Sequence, residues 1–203
     1  MEIQQPNEND RGQPLPEEPS KPEVRVNTVP RIYVASLADY NNGILHGAWL
    51  DADGDLDDID SAIQLILDKS PTGEAEEFAI FDFEGFEAWR PHEYESIAMV
   101  SAVAQGVVEH GPAFAHWVEA VEAKDPESLA GFEDAYLGHW RDVDEYAEEL
   151  MAAFGMNIEE LVPEAYSSYV WIDFEGFARD LEASGDITTS EGDDGVYIFE
   201  GHR

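Results

Sequence analysis

The sequence predicts a mixed α+β chain of three small units in series, behind a proline-rich amino-terminal tail. Three observations carry this. Runs rich in β-branched and aromatic residues stand at Arg31–Leu37, Glu77–Glu84 and Tyr169–Phe174. From Glu93 to Gly155 apolar residues recur at helical spacing. Turn and stop signals punctuate the series at Asn42-Gly43, Gly111-Pro112, Asp125-Pro126 and Gly155. The expected boundaries are a disordered tail over 1–29, an N-terminal α+β unit over 30–95, a helical middle over 96–130 and a C-terminal α+β unit over 131–203.

The tail holds Pro6, Pro14, Pro16, Pro19 and Pro22 and few large apolar residues, too little to build a core. "RIYVASL" then reads as a strand, with Asn42-Gly43 as a hairpin turn and "ILHGAWL" as the returning strand. "DIDSAIQLILDK" puts Ile59, Ile63, Ile66 and Leu67 on one helical face, and "EFAIFDFE" is a third strand. "EYESIAMVSAVAQGVVEHG" reads as a buried helix, "PAFAHWVEAVEA" as a second, and Asp125-Pro126 opens a third. "DVDEYAEELMAAFG" is a fourth, with Val143, Tyr146, Leu150 and Phe154 in one stripe. "NIEELVPEAY" is a short or kinked helix because of its interior proline. "YVWIDF" is a strand, "EGFARDLEAS" a helix and "DITTSEGDDGVYIFEG" a closing hairpin. The pentapeptide Asp-Phe-Glu-Gly-Phe occurs twice, from Asp82 and from Asp173, and reads as a strand-to-helix junction used twice.

Composition restricts function sharply. The chain has 203 residues, of which 43% are hydrophobic, ample for a core. It carries 46 acidic residues against 10 basic ones, a net charge of −36. Such a chain is unsuited to binding nucleic acid or an anionic membrane directly, since both require basic patches. It has no cysteine, which excludes disulfides, thiolate catalysis and cysteine-ligated metals. No apolar run approaches a membrane span and "MEIQQPNENDRG" does not resemble a secretory signal, so a soluble cytoplasmic protein is expected.

The motifs for chemistry are weak. "DADGDLDDID" holds six aspartates in the ten residues from Asp51 to Asp60. A calcium-binding EF-hand loop needs glycine at its sixth position and a bidentate glutamate at its twelfth. Starting at Asp51, those positions hold Leu56 and Ala62; starting at Asp53 or Asp55, the twelfth is Gln64 or Ile66. Asp55 or Asp57 is better read as a cap for the following helix, leaving a surplus of acid unexplained. Among so many carboxylates no general acid and base can be chosen. His46, His92, His110, His116, His139 and His202 are scattered, although "HWVE" and "HWRD" could set a histidine and an acid one helical turn apart. Walker A, HExxH and GxSxG patterns are absent from the sequence. These motifs select no catalytic pair, metal site or cofactor.

What remains is the charge. The tail has six acids and three bases, so residues 30–203 carry −33 of the −36. The acids alternate with apolar positions along every predicted element, which places them on the solvent side of a folded object. Most soluble surfaces intersperse lysine and arginine, but here there are three lysines and seven arginines. At about one negative charge per 1.7 Å of axis, −33 matches roughly 56 Å of DNA duplex. Such a surface can present a phosphate-like field to a DNA-binding channel.

Four segments, in order, resemble the ArdA antirestriction family. "RIYVASLADYNNGILHGAWLD" is similar to that family's opening strand and Tyr-Asn-x-Gly-x-Leu-x-Gly-x-Trp hairpin, and "EEFAIFDFEGF" to its next strand. "LAGFEDAYLGHWRDVDEYAEEL" resembles its acidic central stretch, and "YVWIDFEGFARDLEASGDI" its closing Phe-x-Arg-Asp-Leu region. The resemblance covers essentially residues 30–203, with the proline-rich tail and the density of aspartate in 51–60 as departures. It implies an elongated, curved, three-domain protein that forms a homodimer and mimics bent B-form DNA. It implies a non-catalytic protein that needs no metal or cofactor, with a Type I restriction–modification enzyme as partner, bound at the methyltransferase and specificity core. Foreign DNA entering the cell, such as a mobile genetic element, then escapes restriction.

On that basis the expected mimic surface begins with Asp51, Asp53, Asp55, Asp57, Asp58, Glu74, Glu76, Glu77, Asp82, Glu84 and Glu87. It continues through Glu119, Glu122, Asp125, Glu127, Glu133, Asp134, Asp142, Asp144, Glu145, Glu148 and Glu149. The aromatic stretch "AYSSYVWIDF" is either part of a core or the dimer contact, which is placed in the C-terminal unit. Two other readings of the acidity stand beside this one. A salt-adapted protein of unrelated function spreads acids over every face and loses its fold at low salt. A low-affinity calcium-binding module centred on Asp51–Asp58 responds to calcium.

Overall fold

The computed structural model describes residues 29–73, 75–156 and 162–201. The predicted tail, Glu74, the start of the predicted "NIEELVPEAY" helix and His202 lie outside the described residues. Strand β1 (Arg31–Ser36) alternates as predicted, with Ile32 and Val34 buried and Arg31 and Tyr33 on the other face. It is the central strand of an antiparallel sheet of order β2-β1-β3, with β2 at Gly47–Asp51 and β3 at Phe78–Glu84. Helix α2 (Leu56–Asp68) buries the predicted stripe of Ile59, Ile63, Ile66 and Leu67 in the same core as Ile32, Val34 and Ile80. Gly47 lies so close to β1 that any Cβ there would collide with the Val34 carbonyl.

The predicted Asn42-Gly43 hairpin is instead a longer connection containing a short helix, α1 (Leu37–Asn41). Ser36 Oγ accepts the Asp39 N–H (3.2 Å) and so starts the helix, and Gly43 follows its C-cap at φ 75°. The capping pattern Ser-x-x-Asp therefore overrides the Asn-Gly turn signal, and β2 starts three residues later than Ile44.

Helix α3 (Ile97–His110) is capped by Ser96 and buried over most of its circumference, as its composition demands. Gly111 at φ 72° breaks the chain from α3 into α4 (Pro112–Ala120), which begins with proline at its first turn. The two helices cross closely at Gly106, where a Cβ would enter the Phe114 ring. The helix expected at Asp125-Pro126 is only a 3₁₀ turn over Pro126–Leu129, closed by a reciprocal cap between Asp125 and Ser128. A single turn, α5 (Phe132–Ala135), leads into an unanticipated strand, β4 (Tyr136–Trp140).

Helix α6 (Val143–Ala153) starts at Asp142 as predicted, though Phe154 from its expected stripe is 71% exposed. Helix α7 (Phe174–Ser184) and the hairpin of β5 (Ile187–Gly192) and β6 (Gly195–Glu200) also match expectation. The second sheet has order β4-β6-β5, all antiparallel. Its two faces serve different cores. Phe199 faces Trp117 (5.3 Å) and Tyr136 (5.8 Å) in the cluster that also holds the first sheet, α3 and α4. Ile187, Val196 and Ile198 face the other way, with Trp140, Val143, Tyr146 and Leu181 around them. Residues 96–130 thus share one buried cluster with the first sheet.

"YVWIDF" is not a strand. Tyr169 ends a 3₁₀ segment (Glu164–Tyr169), and residues 170–173 pair with no strand among the described residues. Strand propensity is realised only against a neighbour, and this segment instead shares a groove with α6, with Trp171 80% exposed. The repeated pentapeptide is likewise not one junction used twice. Asp82–Glu84 ends β3 and Gly85 turns at φ 79°, whereas Asp173 caps α7 by accepting the Gly176 N–H (2.9 Å). No helix among the described residues is long and apolar enough to cross a membrane.

Candidate partner-binding surface

Of the 22 expected surface carboxylates, 21 lie among the described residues and none is buried. All but Asp53, Asp142 and Glu145 are exposed, and those three are half-buried. This follows from the patterning, since each element spends its apolar stripe on a core and leaves its acids on the far side.

The structure gathers them by element. On the outer face of the first sheet, Arg31 stands between Asp51 on β2 and Glu84 on β3, at 3.2 and 3.3 Å. Asp82 lies one cross-strand position further along, opposite Tyr33. Asp55 occupies the N-cap of α2 in extended geometry but makes no side-chain cap bond; its backbone carbonyl takes the Asp58 and Ile59 N–H groups instead. Asp57 and Asp58 occupy the first turn, where the helix dipole favours acids. The loop before them is pinned from α3, where Ser101 Oγ and Gln105 Nε2 donate to the Gly54 carbonyl (3.0 and 3.2 Å). The exposed side of α2 carries a shallow groove lined by Asp57, Asp60, Ser61, Gln64, Leu65 and Asp68. At 1.5 Å per residue, this row runs about 17 Å along the helix.

Glu76 and Glu77 precede β3, and Glu87 follows it at φ 54°. Glu119 ends α4, and Glu122 follows at φ 48°. Positive φ is uncommon outside glycine and costs on the order of 1 kcal/mol. Glu127 lies in the 3₁₀ turn, Glu133 and Asp134 in α5, and Asp144, Glu148 and Glu149 on α6.

Three of the expected residues have a structural duty. Asp125 caps the 3₁₀ turn by accepting the Ser128 N–H (2.9 Å). Asp142 accepts the Glu145 N–H (2.8 Å), and Glu145 reaches back to the Arg141 N–H (2.8 Å). The Arg141 guanidinium, 2.7 Å from Asp142, and the Glu145 N–H hold the Asp142 carboxyl below its ordinary pKa. Sequence reasoning passed over Asp39, the only fully buried acid among the described residues. Its Oδ1 accepts the Ser70 hydroxyl (2.9 Å) and the Thr72 N–H (3.2 Å), tying α1 to the turn after α2. Burial raises its pKa, but hydrogen bonds from Ser70, Ser36 and Thr72 outweigh that and lower it. The Ser-x-x-Asp spacing of "SLAD" was the available signal.

Counter-charge is sparse. Among the described residues, arginine ion pairs engage only Asp51, Glu84, Asp142 and Glu175. No group of three or more histidines and acids among the described residues is arranged to hold a metal ion. Two histidines expected to be unrelated meet on one ring, since His116 and His139 both stack on Tyr197 (4.2 and 4.5 Å). His139 belongs to β4 and not to a helix, which removes the helical reading of "HWRD".

The opposite surface character occurs between α6 and α7. Met151, Met156, Val170, Trp171, Ile172 and Phe174 line an open groove of about 600 Å³, with Glu148 of the acidic surface at its edge. Phe154, Tyr166 and Tyr169 are 71%, 62% and 75% exposed.

Comparison with curated proteins gives no match. The family model for the antirestriction protein ArdA matches residues 32–194, which takes in all but the first residue of the first sheet, strands β4 and β5 of the second, every helix from α1 to α7 and all of the expected acidic surface, and stops short of β6. The chain belongs to the ArdA family of antirestriction proteins.

Proposed function

We propose that the chain is a non-catalytic inhibitor that occupies the DNA-binding channel of a Type I restriction–modification enzyme and so blocks restriction of incoming DNA. Its carboxylates stand where phosphates would, against the lysines and arginines of the channel. The observation that carries this is the surface itself: 21 expected carboxylates with none buried and only three paired to arginine. A field of this kind is distributed, so no one residue dominates it. Modification is inhibited too where the methyltransferase and specificity core is the contact. The division of the folded part into units at 30–95, 96–130 and 131–203 belongs to the same proposal, as successive segments of one acidic track.

A homodimer completes the reading. The Met151–Phe174 groove and its exposed aromatics form an apolar patch on an otherwise acidic molecule, and a second copy is the occupant we assign to it. The site of action is the cytoplasm, where Type I enzymes meet incoming DNA.

The test is competition. Labelled duplex DNA is bound to a Type I methyltransferase and the protein is titrated in at low and high salt. Displacement that weakens steeply with salt is expected. Absence of displacement at any salt refutes the mechanism while leaving the family assignment intact.

A further inference from the structure

Helix α4 and the second sheet meet at a polar clamp that none of the functions above uses. Register places His139 of β4, Tyr197 of β6 and Ser190 of β5 directly opposite one another across the sheet. His116 of α4 comes down on the Ser190 side: its Nδ1 is 2.8 Å from Ser190 Oγ, and its ring stacks on Tyr197 at 4.2 Å with 23° between planes. His139 stacks on the same phenol from the β4 side, at 4.5 Å and 29°. One imidazole on a helix and one on a strand thus share one aromatic ring, on the same face of the second sheet as Phe199.

We propose that this His116–Tyr197–His139 stack is a proton-operated clamp that holds α4 on the second sheet when neutral and releases it on acidification. On acidification His116 must carry its charge in a half-buried site and against the charge of His139 across one ring. The remaining groups around His116 are Glu87 after β3, Glu191 on β5 and Asp193 and Asp194 in the hairpin turn, with Asp194 3.5 Å from His139. These carboxylates favour the charged form. Burial and the charge of His139 outweigh Asp193 and lower the His116 pKa. The sign follows: with its folded value below the unfolded one, His116 contributes stability that is present above its unfolded pKa and is lost as pH falls below it. Release would let the acids at the end of α4 move relative to those of the β5–β6 turn, whatever partner they meet.

The test uses the full chain. Amide hydrogen exchange and imidazole NMR are followed between about pH 7.5 and about pH 5.5, the range in which imidazoles titrate. Protection factors in α4, β5 and β6 should fall together, by up to about tenfold per pH unit, while β1–β3 hold theirs. His116→Gln, which can still bond Ser190 but cannot titrate, should abolish that step. His139→Gln should move the His116 midpoint upward, and this readout stands if His116→Gln fails to fold. No step in the native protein, a step that persists in His116→Gln, parallel loss in β1–β3, or an unmoved His116 midpoint in His139→Gln would each overturn the clamp.

Discussion

Replacing Asp51, Asp53, Asp55, Asp57, Asp58 and Asp60 by asparagine tests the acidic surface where it is densest. The change raises the net charge from −36 to −30. The six sites are not equivalent. Asp51 already shares Arg31 at 3.2 Å and Asp53 is half-buried, so both contribute less than a free carboxylate. Asp55, Asp57, Asp58 and Asp60 are exposed, and no ion pair among the described residues engages them. At about 0.2–1 kcal/mol for each exposed charge contact, these four supply about 1–4 kcal/mol of binding, roughly five- to a thousandfold in affinity. The fold should survive. Asp55 makes no side-chain cap bond, and asparagine is as good an N-cap as aspartate. Losing Asp57 and Asp58 costs about 0.3–1 kcal/mol each at the helix dipole, offset in part by relief of repulsion among the six. The assay is displacement of duplex DNA from a Type I methyltransferase, read at about 50 mM and about 200 mM salt. The variant should lose most at low salt, because a shorter Debye length already mutes the native protein at high salt. Unchanged affinity at low salt, with a native circular dichroism spectrum, would refute the loop's part in binding. An equal loss at both salts would show that the loop acts by shape and not by charge.

Three further outcomes are expected. Trp171→Glu should weaken self-association at least about 30-fold, the equivalent of a hot spot of about 2 kcal/mol, as read by sedimentation; an unchanged association constant removes the apolar groove from the dimer contact. Gly106→Ala should cost about 1–3 kcal/mol in urea unfolding, because the new methyl enters the Phe114 ring. Asp39→Asn should lower Tm at neutral pH and flatten the acid limb of the stability curve. The native Asp39 carboxyl is lowered, so its stabilisation is present above the unfolded carboxylate value and lost as pH falls through the folded one. An acid limb identical to the native one would remove Asp39 from that account.

Periodicity and caps were the legible parts of the fold. Ile59, Ile63, Ile66 and Leu67 announced α2, and Asp142 announced α6, because each signal is local and the tertiary structure agrees with it. The failures share one cause, which is that a strand depends on its neighbour. "YVWIDF" has strand composition but no paired neighbour, while "YLGHW" looks ordinary and becomes β4 because Val196–Phe199 lies beside it. The Asn42-Gly43 error is of another kind, two local signals in conflict, and the cap at Ser36 won. For the surface, the exposure of the acids was legible because nothing else in the sequence could cover them. Their division of labour was not. Asp125, Asp142 and Glu145 hold helix starts, a role set by φ/ψ at the caps, and Asp39 is buried only because the chain returns with Ser70 and Thr72.

The second sheet also dictates an order of events during synthesis. Phe199, on the last of the described strands, completes the core that Ile32 on the first of them begins, packing on Trp117 and Phe132. A nascent chain that has delivered α3 and α4 but not β6 therefore exposes an unfinished apolar surface beside a dense array of like charge. That charge keeps partly made chains apart until the closing hairpin arrives. The acidity proposed to meet a partner would thus also hold the molecule apart from its own siblings on the ribosome.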